Sequence, residues 1–199
     1  MSGYEAVFGG HAPRSDAELI AGSQADFGVL FDRYAARIYQ YCVHRVGQHL
    51  AEDVTAETFL VAYERRHRYD PRRPVAGPWL YGIATNLVRR RRAAQARDQR
   101  WVAELAGPDP AERVAERADA EVLVRSLSAA LAGLPRRQRD VLYLLMAGLQ
   151  QDEVAVALDI SPATVRSRLH RARVPLRQAL VQLGASPDGG RPLPRGVAR

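Results

Sequence analysis

Lysine is missing from this sequence. All 29 basic residues among the 199 are arginine, and they give a formal net charge of +7 and an isoelectric point near 10.1. A strongly basic protein often binds a polyanion such as nucleic acid. Arginine in place of lysine also follows from codon bias in a GC-rich genome. Total charge is therefore weak evidence, and the placement of the arginines has to decide.

Cysteine is nearly absent as well. Cys42 is the only one, which excludes an internal disulfide and any zinc site built from several cysteines. Its neighbours in "IYQYCVHRV" favour a small buried residue over a reactive thiol. The five histidines lack the spacing of a metal site, and we find no glycine-rich phosphate loop or nucleophile elbow. We therefore expect no catalytic residue, no metal and no cofactor.

Three further patterns are missing. No uncharged apolar run approaches the roughly 20 residues that a membrane span requires. The start, "MSGYEAVFGGHAPRSD", has no basic patch followed by an apolar stretch, so it does not resemble an export signal. Strict alternation of apolar and polar residues, which is typical of strands, is also lacking. These absences predict an all-α cytoplasmic protein without membrane insertion.

What the first half does contain is apolar residues at spacings of three and four, the period of a helix with one buried face. The segment "ADFGVLFDRYAARIYQYCVHRV" predicts a core helix, and "LAEDVTAETFLVAYERRHRY" predicts a second. The prolines of "YDPRRPVAGP" predict a loop, after which "WLYGIATNLVRRRRAAQAR" predicts a third helix. Ser15 and Glu18 have the spacing of a capping box, so a short helix is expected to begin there.

The periodicity weakens at Asp98 and returns near residue 120. The second half then predicts helices over "EVLVRSLSAALAGL", "PRRQRDVLYLLMAG" and "QDEVAVALD", with Pro135 opening one and Gly148 closing it. We therefore predict two all-helical domains joined by a flexible linker. The expected divisions are a tail over 1–23, a domain over 24–97, a linker over 98–119, a domain over 120–183 and a disordered tail over 184–199.

The stretch "SPATVRSRLHRAR" carries the strongest pattern of charge. Ser161 suits the cap of a helix and Pro162 its first position. Apolar residues step by four, three and four through Val165, Leu169, Ala172 and Leu176. The basic residues occupy the opposite arc, and no acidic residue interrupts them: Arg166, Arg168, His170, Arg171 and Arg173.

A basic helix that follows a short amphipathic helix and a tight corner is typical of a helix-turn-helix, whose second helix enters the major groove of DNA. The arginine fork can bond phosphate oxygens or the two acceptors of a guanine. The alternative is a solvated basic face with no ligand. The Ser-Pro start and the missing acids favour DNA.

The second half, from "LPRRQRDVLYLLMAGLQQDEVAVALDI" through the basic helix, resembles the upstream-promoter-reading domain of extracytoplasmic-function (ECF) sigma factors of bacterial RNA polymerase. The first half resembles the other conserved domain of that family through "AEDVTAETFL" and "PWLYGIATN". Together the two likenesses cover most of residues 25–180 in the family's order. The resemblance implies a subunit that binds core polymerase, directs it to a promoter and helps melt the DNA, and that commonly has an anti-sigma partner.

The resemblance also implies roles for particular residues. The helix like "AEDVTAETF" docks on a coiled coil of the polymerase clamp, with expected contacts from Glu52, Asp53, Glu57 and Phe59 beside Leu60. For melting of the −10 element, Asn86 matches the position that lines the flipped-base pocket, and the loop "YDPRRPVAGP" matches the segment that selects the base. From their chemistry we add Tyr69 and Trp79, with Tyr81 also available for stacking, and Arg89 and Arg90 as charges for the backbone. For the upstream −35 element the motif points to Thr164, Arg166, Ser167, His170 and Arg171, and the charges of Arg168 and Arg173 extend this set.

Each assignment has an alternative. The three acids also stabilise the first turns of a helix through its dipole. The spacing of Trp79 with Ile83 and Leu87 favours a core position over base stacking. A tyrosine ring can stack on an unpaired base, and the amide of Asn86 can hydrogen-bond a base edge.

Two departures from the family pattern concern the second half. Leu144 and Leu145 occupy positions where many members have an arginine and an acid, so one backbone contact is expected to be missing. Pro175 is expected to kink or end the basic helix near Arg173.

The main rival is a two-domain helix-turn-helix regulator with an N-terminal sensing domain. It leaves "AEDVTAETFL" and "PWLYGIATN" unexplained. Such a regulator would bind DNA alone, whereas a sigma factor binds tightly only together with core polymerase.

Overall fold

The computed structural model describes residues 14–106 and 129–182, with side chains for all of these except 98–106, 179–180 and 182. Within these ranges the regular structure is helical and contains no strand, as the sequence predicts. The chain divides into two compact units, the first ending essentially at Ala96 and the second beginning at Arg97. The predicted tail over 184–199 lies outside the described residues.

Within the described residues, the first unit contains three α-helices, one short 3-10 turn and the part of a fourth helix that precedes Arg97. They are α1 (Asp16–Ala21), α2 (Gln24–Val46), α3 (Gln48–Glu64), the turn Arg66–Arg68, and α4 (Gly77–Ala106). Capping boxes begin the first two: Ser15 with Glu18, as predicted, and Ser23 with Asp26. In each box the serine backbone N–H donates to the acid, which lowers the pKa of Glu18 and of Asp26 below the usual range.

The core of this unit lies between α2, α3 and α4. Leu30, Ile38, Cys42 and Leu80 are fully buried. Burial raises the pKa of the Cys42 thiol to about 11, which agrees with a small core residue and not a reactive thiol.

Helix α1 belongs to this domain, so the predicted tail over 1–23 is wrong for its last residues. Leu19 and Ile20 are buried. Asp16 is 2% exposed, and its carboxylate accepts hydrogen bonds from the Tyr34 hydroxyl and the Ala76 backbone N–H. These charge-assisted hydrogen bonds join α1 to α2 and to the residue that precedes α4.

Helix α4 is longer than predicted. It continues to Ala106, so the expected linker cannot begin at Asp98. The arginines and alanines that follow "WLYGIATNLV" are good helix formers and no proline interrupts them before Pro108, so the helix persists although its apolar period fades. The remainder of the predicted linker lies outside the described residues.

The second unit contains the described end of a helix over residues 129–133 (α5), followed by α6 (Arg136–Met146), α7 (Gln151–Leu158) and α8 (Pro162–Gln182). Gly148 ends α6 with a φ of 94°, which favours glycine, and its N–H donates to the Leu145 carbonyl. The fully buried core residues include Val141, Leu144, Val154, Val165 and Ala172.

Two expectations for this unit are corrected. Helix α8 continues through Pro175 to Gln182, so the predicted end near Arg173 is wrong, while the alternative of a kink there stays a prediction. The proline ring removes a single backbone donor from the helix. Leu144 is completely buried and belongs to the core, whereas Leu145 is half-buried, so the missing backbone contact stays a prediction for Leu145 alone.

No helix within the described ranges is both long enough and apolar enough to cross a lipid bilayer.

Candidate nucleic-acid interface

The start of α8 is fixed by its own side chains. The Ser161 hydroxyl accepts a hydrogen bond of 3.2 Å from the Thr164 backbone N–H, and the hydroxyls of these two residues lie 2.9 Å apart. The Val165 N–H donates to the Ser161 carbonyl and begins the helix. The predicted Ser-Pro start is therefore confirmed. The backbone N–H and the hydroxyl of Thr164 both take part in the cap.

The inward stripe of α8 is also confirmed. Val165 and Ala172 are completely buried, and Leu169 and Leu176 are half-buried. The predicted DNA-facing residues on the rest of the helix are exposed, except that Thr164 and Arg168 are half-buried: Arg166, Ser167, His170, Arg171 and Arg173. No acidic residue occurs between Asp159 and Gln182.

The corner that precedes α8 is tight. Asp159 has a φ of 52°, in the left-handed region that aspartate tolerates, and the Ile160 N–H donates to the Ala155 carbonyl at 3.0 Å. This turn separates α7 from α8 by three residues. A short helix, a tight turn and a longer basic helix form the helix-turn-helix that lays its second helix in the major groove.

In the first unit, Asn86 and Arg90 are exposed on α4, and Arg89 is half-buried. The Asn86 Oδ1 accepts a hydrogen bond of 3.0 Å from the Arg89 guanidinium, which leaves the amide donors for another partner. The adjacent Thr85 is buried, lies 2.7 Å from the Tyr41 hydroxyl and donates to the Tyr81 carbonyl. These bonds fix the turn of α4 that presents Asn86.

The structure does not present the two tyrosines for stacking on a base. Tyr69 and Tyr81 are 7% and 4% exposed. Tyr69 donates to the Arg73 carbonyl at 2.9 Å, and burial raises its pKa to about 12. Trp79 is half-buried with its ring 5.3 Å from that of Tyr69, in agreement with a core role. The expectation that these tyrosine rings are available to DNA is wrong, because they support the loop and α4 from inside.

The loop between Tyr69 and α4 is held by hydrogen bonds between its own residues. The Asp70 carboxylate accepts from the backbone N–H and the guanidinium of Arg72, both at 3.1 Å, and these bonds lower the pKa of Asp70. Arg72, Pro74 and Val75 are exposed. The loop therefore presents a basic and an apolar side chain from a defined turn.

Among the described residues, no group of three or more histidine, cysteine, aspartate or glutamate side chains is placed to hold a metal ion.

The chain matches two family models. Residues 30–98 match Sigma-70 region 2, and residues 125–176 match Sigma-70, region 4. These segments contain Asn86 and the basic face of α8, respectively.

Curated proteins similar to this chain indicate the same family as the two models. The ECF RNA polymerase sigma factor SigW of Bacillus subtilis is 34% identical over 174 residues, which cover 81% of this chain and 92% of SigW. SigL of Mycobacterium tuberculosis, also an ECF RNA polymerase sigma factor, is 32% identical over 83% of this chain and 95% of its own length. The chain belongs to the ECF sigma factors. The match to region 2 leaves no place for the N-terminal sensing domain of the rival interpretation.

A solved structure supports the fold. CnrH, in complex with the cytosolic domain of CnrY, aligns with a TM-score of 0.60 and 25% identity, covering 83% of this chain and 94% of CnrH.

The predicted polymerase-binding surface of this sigma factor is corrected at Phe59. Glu52 and Asp53 are exposed on α3. Glu57 is half-buried and forms an ion pair of 3.0 Å with Arg91, and its contact with polymerase stays a prediction. Phe59 is 5% exposed because its ring packs 4.7 Å from that of Phe31. Phe59 therefore cannot be a surface contact.

The sequence interpretation missed the exposed apolar residues of α2, and it named Leu60 of α3 only as a neighbour of Phe59. Leu60 is 59% exposed, and Val29 and Phe31 remain 49% and 42% exposed. Phe59 and Leu60 are adjacent in sequence and therefore lie about 100° apart around α3, and the structure buries Phe59 and exposes Leu60. The signal available in the sequence was that Leu60 lies seven residues after Asp53, on the same face of the helix as that acid.

Proposed function

We propose that this ECF sigma factor binds core RNA polymerase through α3, holds the upstream promoter element with α8, and stabilises the opened −10 region with α4. It acts in the cytoplasm, where polymerase and promoter are found. It carries no catalytic chemistry of its own, since RNA synthesis belongs to the polymerase.

One observation carries the proposal. Helix α8 buries its apolar stripe completely at Val165 and Ala172 while its opposite face is exposed, basic and free of acids. A face of this kind attracts a polyanion, and arginine can bond both phosphates and guanine edges. The position of this helix at the end of a tight turn supports major-groove binding and not non-specific attraction alone.

Polymerase binding is supported by the exposed side of α3. Glu52 and Asp53 lie about two helical turns before the exposed Leu60. An apolar anchor with a charged rim is the usual composition of a protein interface, and the acids suit a partner with basic residues around its contact. The burial of Phe59 moves the expected anchor to Leu60.

Melting is supported by Asn86 and its neighbours. Opening a duplex costs a few kcal/mol per unstacked base, so contacts to the separated strand must offset this free energy. The exposed Asn86 amide can hydrogen-bond a base edge. Arg89 and Arg90 add charge for the backbone of the same strand.

The proposal includes an anti-sigma partner. CnrH, which this chain resembles, was solved with the cytosolic domain of CnrY bound to it. An inhibitor that covers the exposed apolar residues of α2 and α3 would exclude polymerase from the same surface. Such an inhibitor would act by covering the polymerase-binding surface, without any change in the conformation of the sigma factor.

The test is reconstitution with core RNA polymerase of the source organism. Purified chain is mixed with core enzyme, and the holoenzyme transcribes a library of genomic fragments. We expect co-purification with core enzyme and transcripts from a limited set of start sites that share upstream and −10 sequences. A chain that binds the same DNA tightly without core enzyme, and does not co-purify with it, would overturn the proposal.

A further inference from the structure

A groove in the second unit lies between the start of α6 and the side of α8. Its volume is about 570 Å³, and it is open to solvent. On the α6 side the groove is lined by Pro135, which precedes the helix, and by Arg137 and Gln138. The α8 lining is Ala163, Thr164, Ser167, Arg168 and Arg171.

The lining has the chemistry of an anion site. Three of the eight residues are arginines, three more carry a hydroxyl or an amide, and none is acidic. Arg137 is exposed, and within the described ranges no hydrogen bond or ion pair involves its side chain. Arg137 on α6 and Arg171 on α8 bring positive charge to one groove from two helices, and this arrangement attracts an anion.

The α6 side of the groove is held in place. The Arg139 guanidinium donates to the carbonyls of Ala132 and Leu134 at 2.7 and 2.9 Å, which ties the start of α6 to the chain before it. Leu134 is buried beside this contact. Arg137 therefore extends from a fixed turn and not from a loose loop.

We propose that this groove binds a phosphate of the promoter backbone, with Arg137 and Gln138 contacting DNA from outside the helix-turn-helix. Ser167 and Arg171 are shared between the groove and the exposed basic face of α8, so a duplex on that face would bring its flanking backbone to the groove. The contact adds affinity without reading sequence. This inference rests on the proposed function of α8.

A phosphate on DNA fits better than an isolated anion. The groove is wide and open, which leaves a free ion largely hydrated, whereas a duplex supplies a row of phosphates already positioned by neighbouring contacts. An acidic segment of a protein partner is the competing occupant, and the experiment separates the two.

The experiment uses holoenzyme on a promoter fragment taken from the genomic transcription described above. Wild type is compared with Arg137→Gln and with the control Arg136→Gln, which removes another exposed arginine of the same turn that does not line the groove. Affinity is measured from 50 to 200 mM salt, and phosphates are mapped by ethylation interference.

We expect Arg137→Gln to make the log–log salt slope shallower by about 0.9, so that the affinity lost over this fourfold salt range falls by about 3.5-fold. Ethylation at one backbone position should no longer interfere with binding. Arg136→Gln should leave the interference pattern unchanged. Gln138→Ala should weaken binding with an unchanged slope, because the amide carries no charge.

Equal slopes and equal interference patterns for the Arg137→Gln and Arg136→Gln holoenzymes would overturn the inference. If the Arg137→Gln variant binds DNA as wild type does but binds an anti-sigma protein more weakly, the inference is also overturned. If Arg166→Gln still makes the slope shallower in that case, the function proposed for α8 stands and only the groove fails. If neither variant alters promoter binding, the proposed function fails as well.

Discussion

The backbone N–H of Ala76 donates a hydrogen bond of 2.7 Å to the carboxylate of Asp16, sixty residues earlier in the chain. The Ala76 carbonyl in turn accepts the Leu80 N–H, the bond with which α4 begins. The same carboxylate accepts from the Tyr34 hydroxyl and pairs with the Arg33 guanidinium. Asp16 thus ties α1, α2 and the start of α4 together at one buried point.

Replacement of Asp16 tests this tie. Asp16→Ala leaves the Tyr34 hydroxyl and the Ala76 N–H buried without their acceptor, so the free energy of unfolding should fall by about 2–5 kcal/mol. Asp16→Asn retains an acceptor and should cost less. Urea unfolding followed by circular dichroism measures both, and Glu18→Gln on the exposed side of α1 is the control. Equal losses for Asp16→Ala and Glu18→Gln would contradict the role given to Asp16.

Much of the fold was predictable because the helices obey local rules. The capping box of Ser15 and Glu18 and the glycine at 148 are read directly from residue type and spacing, and the structure has both. The contact between Asp16 and Ala76 could not be predicted, because it joins segments sixty residues apart. The burial of a carboxylate becomes visible only when its partners are placed around it.

Leu60→Ser tests the interface expected on α3. Leu60 is 59% exposed, so the change should leave stability nearly unaltered, while loss of an apolar anchor should weaken binding to core polymerase about tenfold or more. Fluorescence anisotropy with labelled sigma factor measures the Kd, and Leu60→Met, which keeps an apolar side chain, should remain close to wild type. An unchanged Kd for Leu60→Ser would remove α3 from the interface.

The candidate site was predictable where charge alone defines it, and less so where aromatic rings are involved. The basic face of α8 follows from arginines placed opposite a clear apolar stripe. Phe59, Tyr69 and Tyr81 were assigned to surfaces and are buried. The sequence around an aromatic residue does not tell whether its ring is buried in the core or exposed at the surface. Partners far away in the sequence decide this, as Phe31 does for Phe59.

Cys42 reports on the integrity of the first unit. Burial raises its pKa to about 11, so the folded protein keeps the thiol protonated, and a disulfide reagent at pH 8 should react only through unfolding. The stability that this thiol contributes is complete below the ordinary pKa of 9.0 and is lost as the pH rises toward 11. Rapid labelling at pH 8 without urea would show that the thiol is accessible.

Pro175→Ala should stabilise the second unit. The substitution restores an N–H to the middle of α8 and removes the ring from its backbone, and a proline in a helix interior costs about 3 kcal/mol relative to alanine. We expect slower amide hydrogen exchange on both sides of position 175. Gln178→Ala, an exposed change one turn later, should have little effect. Faster exchange in Pro175→Ala would mean that the ring itself packs favourably.

The most direct test separates the two steps assigned to the two units on one promoter. Holoenzymes with Arg166→Gln and with Asn86→Ala are compared with wild type for closed-complex affinity and for the rate of strand opening, measured by permanganate reactivity of unpaired thymines. We predict that Arg166→Gln weakens the closed complex and leaves the opening rate unchanged, and that Asn86→Ala slows opening while closed-complex affinity and binding to core polymerase stay the same. The same defect in both variants, or an opening rate unaffected by Asn86→Ala, would contradict the division of labour between α8 and α4.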